Sequence, residues 1–395
     1  MTEQPLAESD GSKPLAALLA ARIRANGPIP FADFMRECLY HPAYGYYSRP
    51  EAPRSRDYYT SVDVHPIFGR LLARQLAEMW ELLGRPRSFL AVEAGAGTGT
   101  LALHILDFAE KQLPQFYAAI QYIAVEQSAG RRAAHADRLA THIAARHFSS
   151  VAELPAPIPA GCIFSNELMD ALPTHRVVTA EGKLREVYVG IEGEDFVEVV
   201  RPPSTPALDQ FFREQGVELP EAHQAEVCQE ACQWIENDGR SLARGFIMTI
   251  DYGHEARLLY NEAHNRGTLL AYRDHRVVEN VLDAPGKQDL TAHVNFTALE
   301  MWGRRASLER TGLVTQSQFL VALGRGNEFG DLFEPGQSEV EKLRARLLLK
   351  NLIHPEGLGE TFQVLVQHKG IEAPRLTGLS GVCSVSPRFG VGRLQ

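Results

Sequence analysis

"VEAGAGTGTLALHIL" (residues 92–106) decides how the chain is read. Its apolar start follows "SFLA", as the end of a short buried strand, and its second half has helical apolar spacing. Between them Gly95, Gly97 and Gly99 alternate with Ala96 and Thr98, and the carboxylate Glu93 stands just before the first glycine. Glycine-rich turns from strand to helix usually hold phosphate, for which an acid is the wrong neighbour. A P-loop needs Lys after its last glycine, and Thr100 stands there. A dinucleotide fingerprint spaces its glycines G-x-G-x-x-G, and here the third glycine comes one position early.

A ligand without pyrophosphate but with positive charge fits better. S-adenosylmethionine, with its sulfonium and ammonium groups, is such a ligand. Glycines let backbone approach it closely. The next strand, "IAVEQ", ends in Glu126, placed to accept from both ribose hydroxyls, with Gln127 beside it. A nicotinamide or flavin dinucleotide and a purely structural glycine turn are the competing readings.

The rest of the chain sets the frame. Its 395 residues carry a net charge of −9, so nothing suggests a nucleic-acid surface. Five scattered cysteines make a disulfide framework improbable and favour a reducing compartment. No apolar run approaches the roughly 20 residues of a spanning helix. The opening "MTEQPLAESDGSKP" has neither an apolar signal core nor an Arg-rich presequence, so a cytoplasmic location is expected. Nothing sets an oligomeric state.

Helical patterns fill residues 1–86, which we read as an N-terminal cover: "PLAALLAARIRANGPIP", "FADFMRECLYHPAYGYY" and "HPIFGRLLARQLAEMWELLGRP". Strands then alternate with helices, which implies βαβ units and a parallel sheet. "RRAAHADRLATHIAA" is read as one helix and "GCIFSN" as a strand. Residues 175–225 suggest an insertion of hairpins and helix within a domain spanning 87–370, before a tail at 371–395. "AEVCQEACQWIENDGRSLARG" reads as helix and "FIMTIDYG" as strand. "SQFLVALG" and "TFQVLVQHKG" read as strands around the helix "SEVEKLRARLLLKNLI". The expected fold class is α/β: a Rossmann-like class I sheet with a helical cover and an inserted β-rich segment.

With these stretches located, the sequence resembles the MidA-type family of adenosylmethionine-dependent methyltransferases, over about residues 30–370. The matching stretches are "HPAYGYYSR", "YYTSVDVHPIFGRLLA", "VEAGAGTGTL", "NELMDALPTHRV", "TIDYG", "GTLLAYRDH", "PGKQDLTAHVNF" and "TQSQFLVALG". The chain departs from the family at Arg56-Asp57-Tyr58-Tyr59, Val62-Asp63, Ala96, Leu168-Met169 and Asn295. The family includes mitochondrial arginine methyltransferases that help assemble respiratory complex I. The resemblance therefore implies N-methylation of a protein arginine, with a respiratory-complex subunit as one possible substrate. A small-molecule O- or N-methyltransferase and a non-catalytic cofactor-binding assembly protein are the rivals.

A guanidinium keeps its proton to a pKa above about 12, and paired carboxylates can hold it bidentately. Glu167 and Asp170 in "NELMD" are the candidate pair, on one face if the loop turns helical. A helix cap by Asn166 or Asp170 is the plainer alternative. Asn166, at a strand end, should also face the cofactor. His293 is a candidate acid/base or acceptor-orienting group, as the resemblance implies. Thr60 and Ser61 suit either the cofactor carboxylate or a plain helix cap. Asp289 and Thr291 read as turn or cap residues, and "HPAYGYY" as a lid or a packed aromatic loop. His104, His135, His142 and His147 show no acidic partner pattern and read as solvated. Cys228 and Cys232 lack a second pair, so no metal site is expected.

Overall fold

The computed structural model describes residues 12–48, 65–274, 276–333, 336–354, 359 and 361–381. Thr60 and Ser61 lie outside these. In chain order the strands are β1 (Ile29–Pro30), β2 (Phe89–Ala94), β3 (Ile120–Val125), β4 (Phe148–Val151), β5 (Gly161–Asn166), β6 (His175–Ala180), β7 (Lys183–Glu192) and β8 (Asp195–Arg201). They continue with β9 (Gln224–Val227), β10 (Gly245–His254), β11 (Leu270–Arg273), β12 (Arg276–Val278), β13 (Asp289–Thr291), β14 (Val294–Asn295), β15 (Glu309–Thr315) and β16 (Phe362–Lys369).

The central sheet runs β15-β16-β10-β5-β2-β3-β4, with β14 added beside the end of β10. Within that path only β16 runs against its neighbours. This is the Rossmann-like sheet expected, but mixed rather than wholly parallel, because β16 enters between β15 and β10 in the opposite direction. Strands β2, β5 and β10 are buried along nearly their whole length, as strands covered on both faces must be. From β2 the chain builds outward to β3 and β4, then returns to β5 on the other side of β2. The order therefore reverses between β2 and β5, where open α/β sheets hold ligands beyond the strands' carboxyl ends.

Helices cover the sheet because their apolar residues recur at helical spacing. Phe68, Leu71, Leu72, Leu76 and Met79 of Ile67–Leu82 are all buried. Each fully buried Leu or Phe contributes about 1.5–3 kcal/mol. This helix crosses Thr100–Gln112 closely: a Cβ on Gly69 would lie 2.5 Å from the Cβ of His104.

Strands β6 to β9, joined by β1 from the N-terminal part of the chain, form a five-stranded antiparallel sheet, β1-β7-β6-β9 with β8 on β7. It shares one core with the first two helices, through Leu15, Leu19, Phe31, Phe34 and Val189. A second excursion, β12-β11-β13, joins the same core through Ala271 and Leu290.

Several local expectations are corrected. "SQFLVALG" is a helix, Gln316–Arg325, because Thr315 and Gln318 close a capping box and Phe319, Leu320 and Leu323 share its buried face. "RRAAHADRLATHIAA" breaks at Leu139 into Ala129–Arg138 and Ala140–Ala144. Residues 225–227 pair as β9 with β6, so that helix starts only at Gln229, with Cys228 Sγ accepting from Ala231 N. Asp289 and Thr291 stand in a buried strand rather than a turn, and Asp289 Oδ1 accepts from Tyr47 Oη at 2.6 Å. Tyr46 and Tyr47 are buried, so "HPAYGYY" packs into the core.

Two histidines read as solvated are buried. His142 lies between the Tyr117 hydroxyl at 2.8 Å and Asp107 Oδ1 at 3.0 Å. His135 bonds Ser150 Oγ and the Gly97 carbonyl, at 2.8 and 2.9 Å. Since a carbonyl only accepts, His135 Nε2 carries the proton and Nδ1 accepts from the serine.

Candidate functional site

At the switch point the glycine turn takes the backbone shape its sequence demands. Gly95, Gly97 and Gly99 have φ of 72°, 56° and 79°, the left-handed region that glycine enters without steric cost. Gly95 N and Ala96 N both donate to Val125 O, tying the turn to the end of β3. His135 holds Gly97 from outside.

The strand-end acids converge here. Glu126 Oε2 accepts from Gly97 N at 3.0 Å and Oε1 from Ser128 N at 2.8 Å. A carboxylate has about four acceptor positions, so it retains capacity for ligand hydroxyls. Gln127 is exposed beside it. Glu93 is buried and accepts from the Tyr122 hydroxyl at 2.6 Å. Burial pushes its carboxyl up to about 8, against the pull of that hydrogen bond and helped by the Glu126 charge.

Across the reversal, Asn166 Nδ2 donates to Glu167 Oε1 at 3.1 Å. Asn166 Oδ1 is buried with no hydrogen-bond partner among the described residues. Glu167 is buried at φ 53°, a strained setting for a non-glycine residue and typical of functional positions. Its N–H donates to Ile250 O.

The loop beyond is a turn, not a helix, and Glu167 and Asp170 each lie near a third acid, Asp251. Asp251 Oδ2 accepts from Leu168 N and Met169 N, at 3.1 and 2.9 Å, and Oδ1 accepts from Tyr252 N. Asp170 is buried and its Oδ2 accepts from the Tyr252 hydroxyl at 2.6 Å. Burial, then the charges of Asp170 and Glu167, hold the Asp251 carboxyl well above the usual range. Asp251 and Tyr252 escaped individual notice in the sequence. The signal was there: "FIMTID" closes an apolar run with an acid, as Glu93 does within β2 and Glu126 does just after β3.

His293 lies between β13 and β14, its ring 5.7 Å from that of Tyr252. Burial, with His254 and His264 nearby, lowers its pKa to about 4, so it is neutral at physiological pH. Asn295 caps the next helix by accepting from Ala298 N. A cavity of about 20 Å³ lined by Met169, Glu226, Cys228 and His293 adjoins this side. It has room for about one water molecule and no more.

A left-handed glycine turn, a strand-end carboxylate with spare acceptor capacity and an orphaned amide oxygen define a Rossmann-like site that fits an adenosine-bearing ligand. The comparisons specify the class. The profile of the S-adenosyl-L-methionine-dependent methyltransferase family matches residues 71–314, more than half of the chain, and the chain belongs to that family. It is 29% identical to the Drosophila melanogaster homologue of the mitochondrial protein arginine methyltransferase NDUFAF7, over 95% of this chain and 90% of the relative. To the human protein of that name it is 27% identical, over 92% and 85%. A Burkholderia thailandensis crystal structure with S-adenosyl-homocysteine bound superposes with a TM-score of 0.84 at 28% identity, over 95% of this chain and 97% of that one. The MidA-type resemblance is thereby borne out. The protein is an S-adenosylmethionine-dependent methyltransferase with a Rossmann-like fold. Among the described residues no helix is long and apolar enough to cross a membrane.

Proposed function

We propose that this enzyme methylates a guanidinium nitrogen of an arginine in a protein substrate. The observation that carries this reading is the gathering of Glu167, Asp170 and Asp251 at the ends of β5 and β10, beside the glycine turn. Mutual repulsion and burial make such a group costly, and a planar cation relieves both. Guanidinium matches it in charge and in bidentate geometry. The names of the curated relatives support the same acceptor.

In this reading Glu126 takes the ribose hydroxyls, the Gly95–Gly97–Gly99 backbone lies along the cofactor, and Glu93 with Asn166 faces its amino-acid end. Gln127 borders the adenosine, and Thr60 and Ser61 take the carboxylate. Bound S-adenosylmethionine supplies an electrophilic methyl carbon. The chain's own work is alignment and exclusion of water, the main needs of a direct displacement. Glu167 and Asp170 hold the guanidinium and draw its positive charge away from the reacting nitrogen. Asp251 fixes the loop that carries them. Neutral His293, its ring beside that of Tyr252, orients the acceptor.

Residues 1–86, 87–370 and 371–395 remain our proposed divisions, with the insertion at about 175–225. The four described cysteines are free, which supports a reducing compartment such as the cytoplasm. The relatives above are named as mitochondrial, so cell fractionation is the test of that placement. A respiratory-complex subunit is one candidate substrate. The decisive experiment incubates the pure enzyme with labelled S-adenosylmethionine and cell lysate, then maps the label by mass spectrometry. Label on peptidyl arginine is expected; label on a small molecule or a hydroxyl overturns the arginine reading.

A further inference from the structure

We infer that His254, His264 and His293 form a three-imidazole site for a divalent transition-metal ion. They come from three separate segments: the last residue of β10, the end of the turn Glu262–His264, and the corner between β13 and β14. One ligand nitrogen from each lies within 4.8 Å of the other two. The rings of His254 and His264 stack at 5.4 Å, and that of His293 lies 5.5 and 6.0 Å from them.

The surroundings supply what ligating histidines need. His264 Nδ1 lies 3.0 Å from the Leu258 carbonyl, which can only accept, so the proton sits on Nδ1 and Nε2 keeps its lone pair. A metal-bound histidine typically has this outer hydrogen bond to a carbonyl or carboxylate. His293 N donates to Thr268 Oγ1, which in turn donates to buried Glu226, fixing the backbone that carries the ring. His293 Nδ1 is buried with no hydrogen-bond partner among the described residues. Three imidazoles without thiolate or carboxylate suit zinc, copper or nickel over magnesium or calcium. Three protein nitrogens leave a fourth position open. Zinc–nitrogen bonds of about 2.0–2.1 Å place tetrahedral ligands roughly 3.4 Å apart, so the ligand nitrogens, now within 4.8 Å of one another, close by at most about 1.4 Å on binding.

The ion would clamp the end of β10 to the corner before β14. Tyr252, two residues before His254, bonds Asp170 and packs on His293, so the clamp steadies the acceptor-side wall. The three histidines are too far apart in sequence for a ligand motif.

The test uses the full chain without an affinity tag, stripped with chelator. Zinc titration by calorimetry should show one equivalent per chain and a raised Tm, because a ligand of the folded state stabilises it by mass action. His254→Phe and His264→Phe keep ring stacking but remove ligands. Each should weaken zinc binding at least tenfold while adenosylhomocysteine binding is retained. A second measurement needs no variant: zinc should protect these histidines in the wild type from diethylpyrocarbonate, mapped by mass spectrometry. Absence of zinc-dependent protection, or zinc uptake equal in wild type and the double variant, overturns the site. None of these readouts depends on methyl transfer.

Discussion

The Tyr122 hydroxyl donates to Glu93 Oε2 at 2.6 Å inside the sheet, between the middle of β3 and the end of β2. The bond holds the carboxyl in place but does not offset burial, which raises it to about 8. An acid with a folded pKa above its unfolded value of about 4.3 binds its proton more tightly in the native state. Its stabilising contribution is complete below pH 4 and is lost as pH rises to about 8. Glu93→Gln removes that titration. Relative to wild type, the variant should therefore gain stability between pH 4.5 and 8, on the order of a few kcal/mol. Urea midpoints across that range, measured without cofactor, check it; parallel curves would show that Glu93 does not titrate there.

Gly97→Val should abolish binding of S-adenosylmethionine with the overall fold retained. Its φ of 56° is closed to a β-branched residue. The strain of about 1–2 kcal/mol falls on a turn, not on the sheet. Calorimetric titration reads the affinity, and far-UV circular dichroism reads the fold.

For Glu126→Ala, both adenosylmethionine and adenosylhomocysteine should bind more weakly, with kcat at saturation little changed. The variant loses the ribose acceptor and the hydrogen bonds to Gly97 N and Ser128 N that shape the turn. Hydrogen bonds to charged groups contribute about 1.5–3 kcal/mol each, so at least a tenfold loss is expected. Equal weakening of the two ligands assigns Glu126 to their shared half; loss of one alone would not.

Asp251→Asn tests the residue that gathers the acceptor loop. The Asp251 carboxyl accepts three backbone N–H groups through its two oxygens, and an amide must turn its NH₂ toward some of them. A cost of about 1–3 kcal/mol in stability follows from the unsatisfied donors. Turnover should fall with it, while cofactor affinity holds. Thermal melts and single-turnover rates separate these effects.

The parts of the fold that were readable in sequence are those set by local pattern. Strands β2, β3 and β5 have apolar runs closed by Glu93, Glu126 and Asn166, and their convergence follows from parallel topology alone. "SQFLVALG" misled because a short apolar run has no distinctive period; the capping pair Thr315 and Gln318 was the better guide. His135 and His142 could not be read as buried, since their partners Ser150, Gly97, Asp107 and Tyr117 come from other segments. Strands β11 to β13 are three or four residues long, too short for alternation to register. Asp251 needed only the rule already applied to Glu93.

The acceptor itself is tested by Glu167→Gln. The substitution keeps size and one acceptor oxygen, so the Asn166 contact and the cofactor turn should survive. What it removes is the charge that pairs with guanidinium. Interactions made mainly in the transition state appear in the rate rather than in ground-state affinity. Losing one hydrogen-bonded charge contact to a buried cation costs roughly 2–5 kcal/mol, at least tenfold in rate. A neutral acceptor would depend far less on that charge. The measurement is methyl incorporation by wild type and variant at saturating S-adenosylmethionine, with the methylated atom located by mass spectrometry. Arginine labelling that collapses in the variant supports the paired carboxylates as the acceptor clamp. A variant near full rate, with label on a small molecule, would leave the methyltransferase intact and refute arginine as its target.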